Sequence, residues 1–157
     1  MRTKKEAGKP WKLNGDDILE LSQFPENCYG FVYCITCNTG EKYIGKKALR
    51  SYHTSYERKL NERTGRMNKV KVVTSTESNW KDYYGSSAEI KKLVKEHGKA
   101  AFTREIIKLC TSKKSLTYWE LAEQCKADVL NAELNYLNDN ILGKFYRKDF
   151  VETLYFS

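Results

Sequence analysis

Two tyrosines ten residues apart, Tyr33 and Tyr43, sit in strand-like runs, and a dense group of cations follows them. A phenol with its ordinary pKa near 10 is a poor base at neutral pH, but neighbouring lysines or arginines favour the phenolate and also hold phosphate. Lys46 and Lys47 directly follow the second tyrosine run. Nine Lys or Arg lie between residues 46 and 72 against two acids, Glu57 and Glu62, a local excess of +7 within a formal net charge of +8. Such a potential draws polyanions, so the expected partner is nucleic acid or an anionic membrane surface. Arg58, Lys59 and Arg63, interleaved with Tyr52, His53 and Tyr56, are expected to grip it.

Composition removes other classes. A chain of 157 residues suits one domain, and 40% hydrophobic residues supply a core, which excludes a wholly disordered basic tail. No apolar run approaches a membrane span, and Met1 to Glu6 leads into no apolar signal core, so the protein is expected to stay in the compartment where it is made. Five cysteines are an odd number and read as reduced thiols. Cys34 and Cys37 have half the spacing of a zinc site but lie in an alternating strand, where positions three apart face opposite ways.

The elements that must position the tyrosines follow from periodicity. Residues 1–13 read as a loosely held basic arm, and Asp16 to Phe24 as a short helix stopped by Pro25. Together, residues 1–27 form an arm and short helix ahead of a domain over 28–157. Gly30 to Thr36 and Lys42 to Gly45, joined by Asn38, Thr39 and Gly40, predict a β-hairpin. Ser86 with Glu89 predicts a capping box opening a helix that Gly98 ends. Phe102 to Leu109 reads as a third strand. From Ser115 to Asn131, a helix places Tyr118, Ala122, Cys125 and Val129 on one face and Glu120, Glu123 and Gln124 on another. The tail from Tyr136 reads as loop or short strand.

The ordered set resembles the GIY-YIG nucleases, in particular the phage-type Seg-like and homing endonucleases. Gly30-Phe31-Val32-Tyr33 and Tyr43-Ile44-Gly45 are similar to the family signature, with Phe31 in the usual glycine slot. Tyr84-Gly85-Ser86-Ser87, His97-Gly98 and Phe102 through Ile107 follow in family order, so that the resemblance covers about residues 28–140. It implies an α/β (α+β) fold with a small, mainly antiparallel three-stranded sheet flanked by helices.

The same resemblance implies an endodeoxyribonuclease leaving 5′-phosphate and 3′-hydroxyl ends. Tyr33 would be its general base, and Tyr43 would hold the phosphate or water network. Glu120 would ligate one Mg²⁺ or Mn²⁺, with Glu123 as the alternative ligand. The family arginine is expected about two turns after the signature glycine; His53 stands there, and Arg50 is the first candidate, ahead of Arg58 and Arg63. Asn138 corresponds to a late family asparagine, or caps a turn. Target choice would rest on the basic insert 46–72, the arm or a partner protein. A viral origin, with action in the host cytoplasm, is implied only by the resemblance. The alternative from a different class is a module that binds nucleic acid without cutting it.

Overall fold

The computed structural model describes residues 8–150. Its centre is β3 (Gly30–Cys37), an eight-residue strand covered on both faces. Phe31, Tyr33, Ile35 and Cys37 point into one core; Val32 and Cys34 point into the other. That split follows from the two-residue period of a strand, and it separates the two cysteines as the sequence predicts. All five thiols are free.

β3 pairs antiparallel with β4 (Lys42–Ala48) on one side and with β7 (Phe102–Cys110) on the other. The sheet has five strands rather than the expected three, in the order β2-β1-β7-β3-β4. The two extra strands come from the segment read as an arm and a helix. β1 (Trp11–Leu13) lies parallel to β7, and β2 (Asp16–Ile18) folds back on β1. Helix is present there only as a single 3₁₀ turn at Leu21–Gln23. Three-residue strands are too short to show a period, and the arm's cations hid Trp11, which anchors it. The Trp11 indole is 1% exposed, packs on Phe31 and Tyr33, and donates to the Trp80 carbonyl at 2.7 Å. Phe24 stacks on Phe31 in the same core, so residues 8–27 belong to the domain they were expected to precede. Residues 1–7 of the expected arm lie outside the described residues.

Each core has its own helix. α1 (Ala88–His97) seats Ile90 under the first core and ends at Gly98. Its N-cap is Ser87, whose hydroxyl accepts from the Ile90 N–H, one residue later than the expected capping box. α2 (Lys113–Ala127) lies on the second core through Leu116 and Gln124. The expected apolar face of α2 is not the buried one: Tyr118 is 59% exposed, Cys125 is exposed, and Val129 lies past the helix end. Leu116, Glu120 and Gln124, four residues apart, form a single row, and Leu116 and Gln124 are its buried ends.

The basic insert forms a second sheet. β5 (Arg50–Asn61) and β6 (Arg66–Glu77) are twelve residues each, paired without a register shift and exposed along almost their whole length. Cations interleaved with its aromatic and aliphatic residues concealed this ribbon, whose large hydrophobics are exposed rather than packed into a core. β8 (Asn140–Ile141) and β9 (Phe145–Tyr146) close the described chain as a small hairpin.

Candidate active site

A cleft of about 630 Å³ opens where the β3–β4 hairpin meets α2 and the start of α1. Tyr33, Tyr43, Lys46, Glu120 and Asn138 line it, so five of the expected site residues, taken from β3, β4, α2 and the segment before β8, share one cavity. Tyr33 and Gly45 are directly paired across β3 and β4. A Cβ built on Gly45 would come within 2.5 Å of the Tyr33 hydroxyl oxygen and 3.0 Å of the Tyr43 ring. The glycine of the second signature run is therefore the floor on which both phenols rest.

The electrostatics of Tyr33 run against the sequence expectation. The residue is 1% exposed, and burial pushes its phenol well above the ordinary tyrosine pKa; the neighbouring phenols of Tyr83 and Tyr43, then the Glu120 charge, push the same way. Lysines were expected to lower it, but the nearest ones aim elsewhere. Lys46 Nζ is 3.0 Å from the Thr117 hydroxyl and 3.9 Å from Glu120 Oε1. Lys47 Nζ stands 4.3 Å above the Tyr83 ring, and burial lowers its pKa. Tyr43 is also raised, chiefly by burial, with a hydrogen bond from Ser86 acting in the opposite direction.

Glu120 is largely buried, its side chain 15% exposed. Burial raises its pKa, and Lys46 partly offsets this. One turn on, Gln124 donates to the Ile44 carbonyl at 3.0 Å, while its own Oε1 is buried without a hydrogen-bond partner. A desolvated carboxylate and an unpaired amide oxygen, one helical turn apart on α2 and both from residues lining the cleft, are hard oxygen donors that suit Mg²⁺ or Mn²⁺ with the remaining positions left to water and phosphate. Among the described residues, no cluster of three or more His, Cys, Asp or Glu side chains could hold a metal. Glu123, the alternative ligand, is not among the residues lining the cleft.

Asn138 is 3% exposed and both ends of its amide are engaged on the backbone of one residue: Oδ1 accepts from the Ile44 N–H at 3.1 Å, and Nδ2 donates to the Ile44 carbonyl at 2.8 Å. It fixes the middle of β4, between Tyr43 and Gly45, rather than presenting a free amide to a ligand. Arg50, His53, Arg58, Lys59 and Arg63 are all exposed on the β5–β6 ribbon or its turn, and none of them lines the cleft. Arg104, which was not singled out, is the buried arginine. It donates to the carbonyls of Lys9, Lys81 and Tyr83 and so carries the segment that brings Tyr83 to the cleft. Its alternation within the third predicted strand was the available signal.

A family-level comparison matches residues 11–141 to the family described as "Putative endonuclease segE, GIY-YIG domain". The chain belongs to this GIY-YIG endonuclease family. No curated protein and no solved structure matches it. The GIY-YIG match begins at Trp11, the first residue of β1, and ends at Ile141, the last of β8, so it takes in every strand of the main sheet. Nuclease activity is the function this membership supports.

Proposed function

We propose that this GIY-YIG protein is a divalent-cation-dependent endonuclease that hydrolyses phosphodiester bonds of DNA in the cleft between the β3–β4 hairpin and α2. The observation that carries this reading is the meeting of Tyr33, Tyr43, Lys46 and Glu120 in a single cavity. Tyr33 keeps its proton in the free protein because its phenol is raised by burial. It therefore acts as a relay: its oxygen accepts the proton of the attacking water as its own proton passes to a phosphate oxygen. Tyr43, held from the adjacent strand, orients the same phosphate. Glu120 and the Gln124 oxygen would hold the cation, which when bound supplies charge neutralisation at the leaving oxygen. Lys46 takes the place expected for Arg50 as the protein's own positive charge in the cleft, where it can offset charge on the pentacoordinate phosphorus.

The test is incubation of supercoiled and branched DNA with Mg²⁺, comparing the wild type with Tyr33→Phe and Glu120→Ala. Wild-type cleavage and a loss of about 100-fold or more in each variant are expected. Cleavage unaffected by both substitutions overturns the site. A wild-type protein that binds DNA and cuts none of these forms is instead the non-catalytic binding module.

A further inference from the structure

The β5–β6 ribbon has no core of its own. An isolated two-stranded hairpin is at best marginally stable in water, so twenty-four residues paired this regularly are built to lie against something. The register says what. Residues directly opposite one another share a face, and one face collects Arg50, Arg58, Lys69 and Lys71 with Glu77 as its sole acid. Glu77 stands opposite Arg50 at the base, so the outer part of this face is purely cationic. The other face carries Lys59 and Arg66 against Glu57.

Apolar exposure follows the same division. Tyr52, Tyr56, Leu60, Met67 and Val73, the ribbon's large exposed hydrophobics, are 51–63% exposed and all lie on the cationic face. Lys69 sits 5.9 Å from the Tyr56 ring centroid, and Tyr52 stacks on Tyr29 at 5.8 Å, which ties the base of the ribbon to the domain. Leu60 and Met67 face each other one pair from the turn. Twelve extended residues reach about 40 Å, close to one turn of duplex DNA. An apolar pair at the end of a cationic ribbon has the chemistry of a wedge that enters a base step and kinks the duplex.

We propose that the face bearing Arg58, Lys69 and Lys71 lies along duplex DNA, and that Leu60 and Met67 wedge into its base stack and bend it. This rests on the reading that the GIY-YIG domain acts on DNA, and it assigns the ribbon a deforming role distinct from general charge attraction. The polyanion's phosphates meet the cations, while the desolvated base step takes the two apolar side chains.

The experiment uses the full chain in EDTA, so that no strand is cut. Bending is read by energy transfer between dyes at the ends of a short duplex, and unstacking by 2-aminopurine fluorescence. Three double or triple variants are compared: Leu60→Ser with Met67→Ser, Arg58→Gln with Lys69→Gln and Lys71→Gln, and Lys59→Gln with Arg66→Gln on the opposite face. The first is expected to abolish both signals while leaving the salt dependence of binding unchanged. The second is expected to lower the slope of log K against log salt by about 3, close to one unit per lost phosphate contact, and the third to change it by less than 1.

Bending retained without Leu60 and Met67, equal slopes for the two faces, or a preference for single strands overturns the proposal. So does light scattering that shows a dimer which the Leu60→Ser with Met67→Ser variant no longer forms. Melting of the core, monitored by Trp fluorescence, is expected to be the same in all variants because the ribbon stands outside it. Cleavage with Mg²⁺ is measured separately: bending without cleavage removes the nuclease reading and leaves the wedge, and cleavage without bending does the reverse.

Discussion

At the scale of the residue, Glu120 shows how one environment serves two ends. Burial raises its pKa, so the ionised form is costlier in the folded protein than in the unfolded chain. For an acid raised in this way the penalty is absent at low pH, where both states are protonated, and appears as pH rises through the unfolded and then the folded value. Glu120→Gln is therefore expected to melt higher than the wild type at neutral pH without divalent ions, and the two curves should converge as pH falls into the ordinary carboxylate range. Adding Mg²⁺ is expected to raise the wild-type melting temperature and to leave Glu120→Gln unmoved, since only binding to the folded state stabilises it. Differential scanning fluorimetry across pH, with and without Mg²⁺, checks both. A cation shift of equal size in the variant would place the ion elsewhere.

At the scale of the element, β4 is the strand on which the cleft depends. It lies at the edge of the five-stranded sheet, and an edge strand needs other partners to stay in place. Asn138 and Gln124 supply them: Asn138 accepts from the Ile44 N–H, and both side chains donate to the Ile44 carbonyl. Asn138→Ala leaves the buried Ile44 N–H unpaired and is expected to cost about 1–3 kcal/mol, measured by urea denaturation. Gly45→Ala acts on the same strand by a different route. The added methyl meets the Tyr33 hydroxyl oxygen at 2.5 Å, so the phenol must move. Its expected signature is a loss of cleavage approaching that of Tyr33→Phe with the Tyr33 side chain still present. Cleavage at the wild-type rate would show that the phenol has room to spare.

At the scale of the whole molecule, the chain divides into a domain that holds itself together and a ribbon that does not. The domain is closed by its own beginning: β1 extends the sheet beyond β7, and Trp11 joins Phe31, Tyr33 and the Trp80 carbonyl. Trp11→Ala is expected to destabilise the fold by about 3–5 kcal/mol, far more than any change in a loose arm could. Chemical denaturation measures it, and a loss below about 1 kcal/mol would mean that the N-terminal strand is dispensable. The ribbon, by contrast, tolerates charge and polarity on both faces because, among the described residues, its two strands are exposed along almost their whole length. The described residues include no helix long and apolar enough to cross a membrane.

The central hairpin, the strand from Phe102, both helices and the family are legible in local residue patterns, because β3 and β4 carry their signature in adjacent residues and α1 is marked by a local cap and a terminal glycine. The sequence also placed Glu120 on α2, the helix that lines the cleft. Only the tertiary structure decided that Trp11 is core, that the insert is a ribbon with two unlike faces, and that Asn138 props β4. These depend on contacts across many residues, such as the 69-residue separation of Trp11 and Trp80, which local periodicity does not record. The raised pKa of Tyr33 belongs with them: the sequence counts lysines nearby, but the direction of a shift follows from burial and from where each charge points.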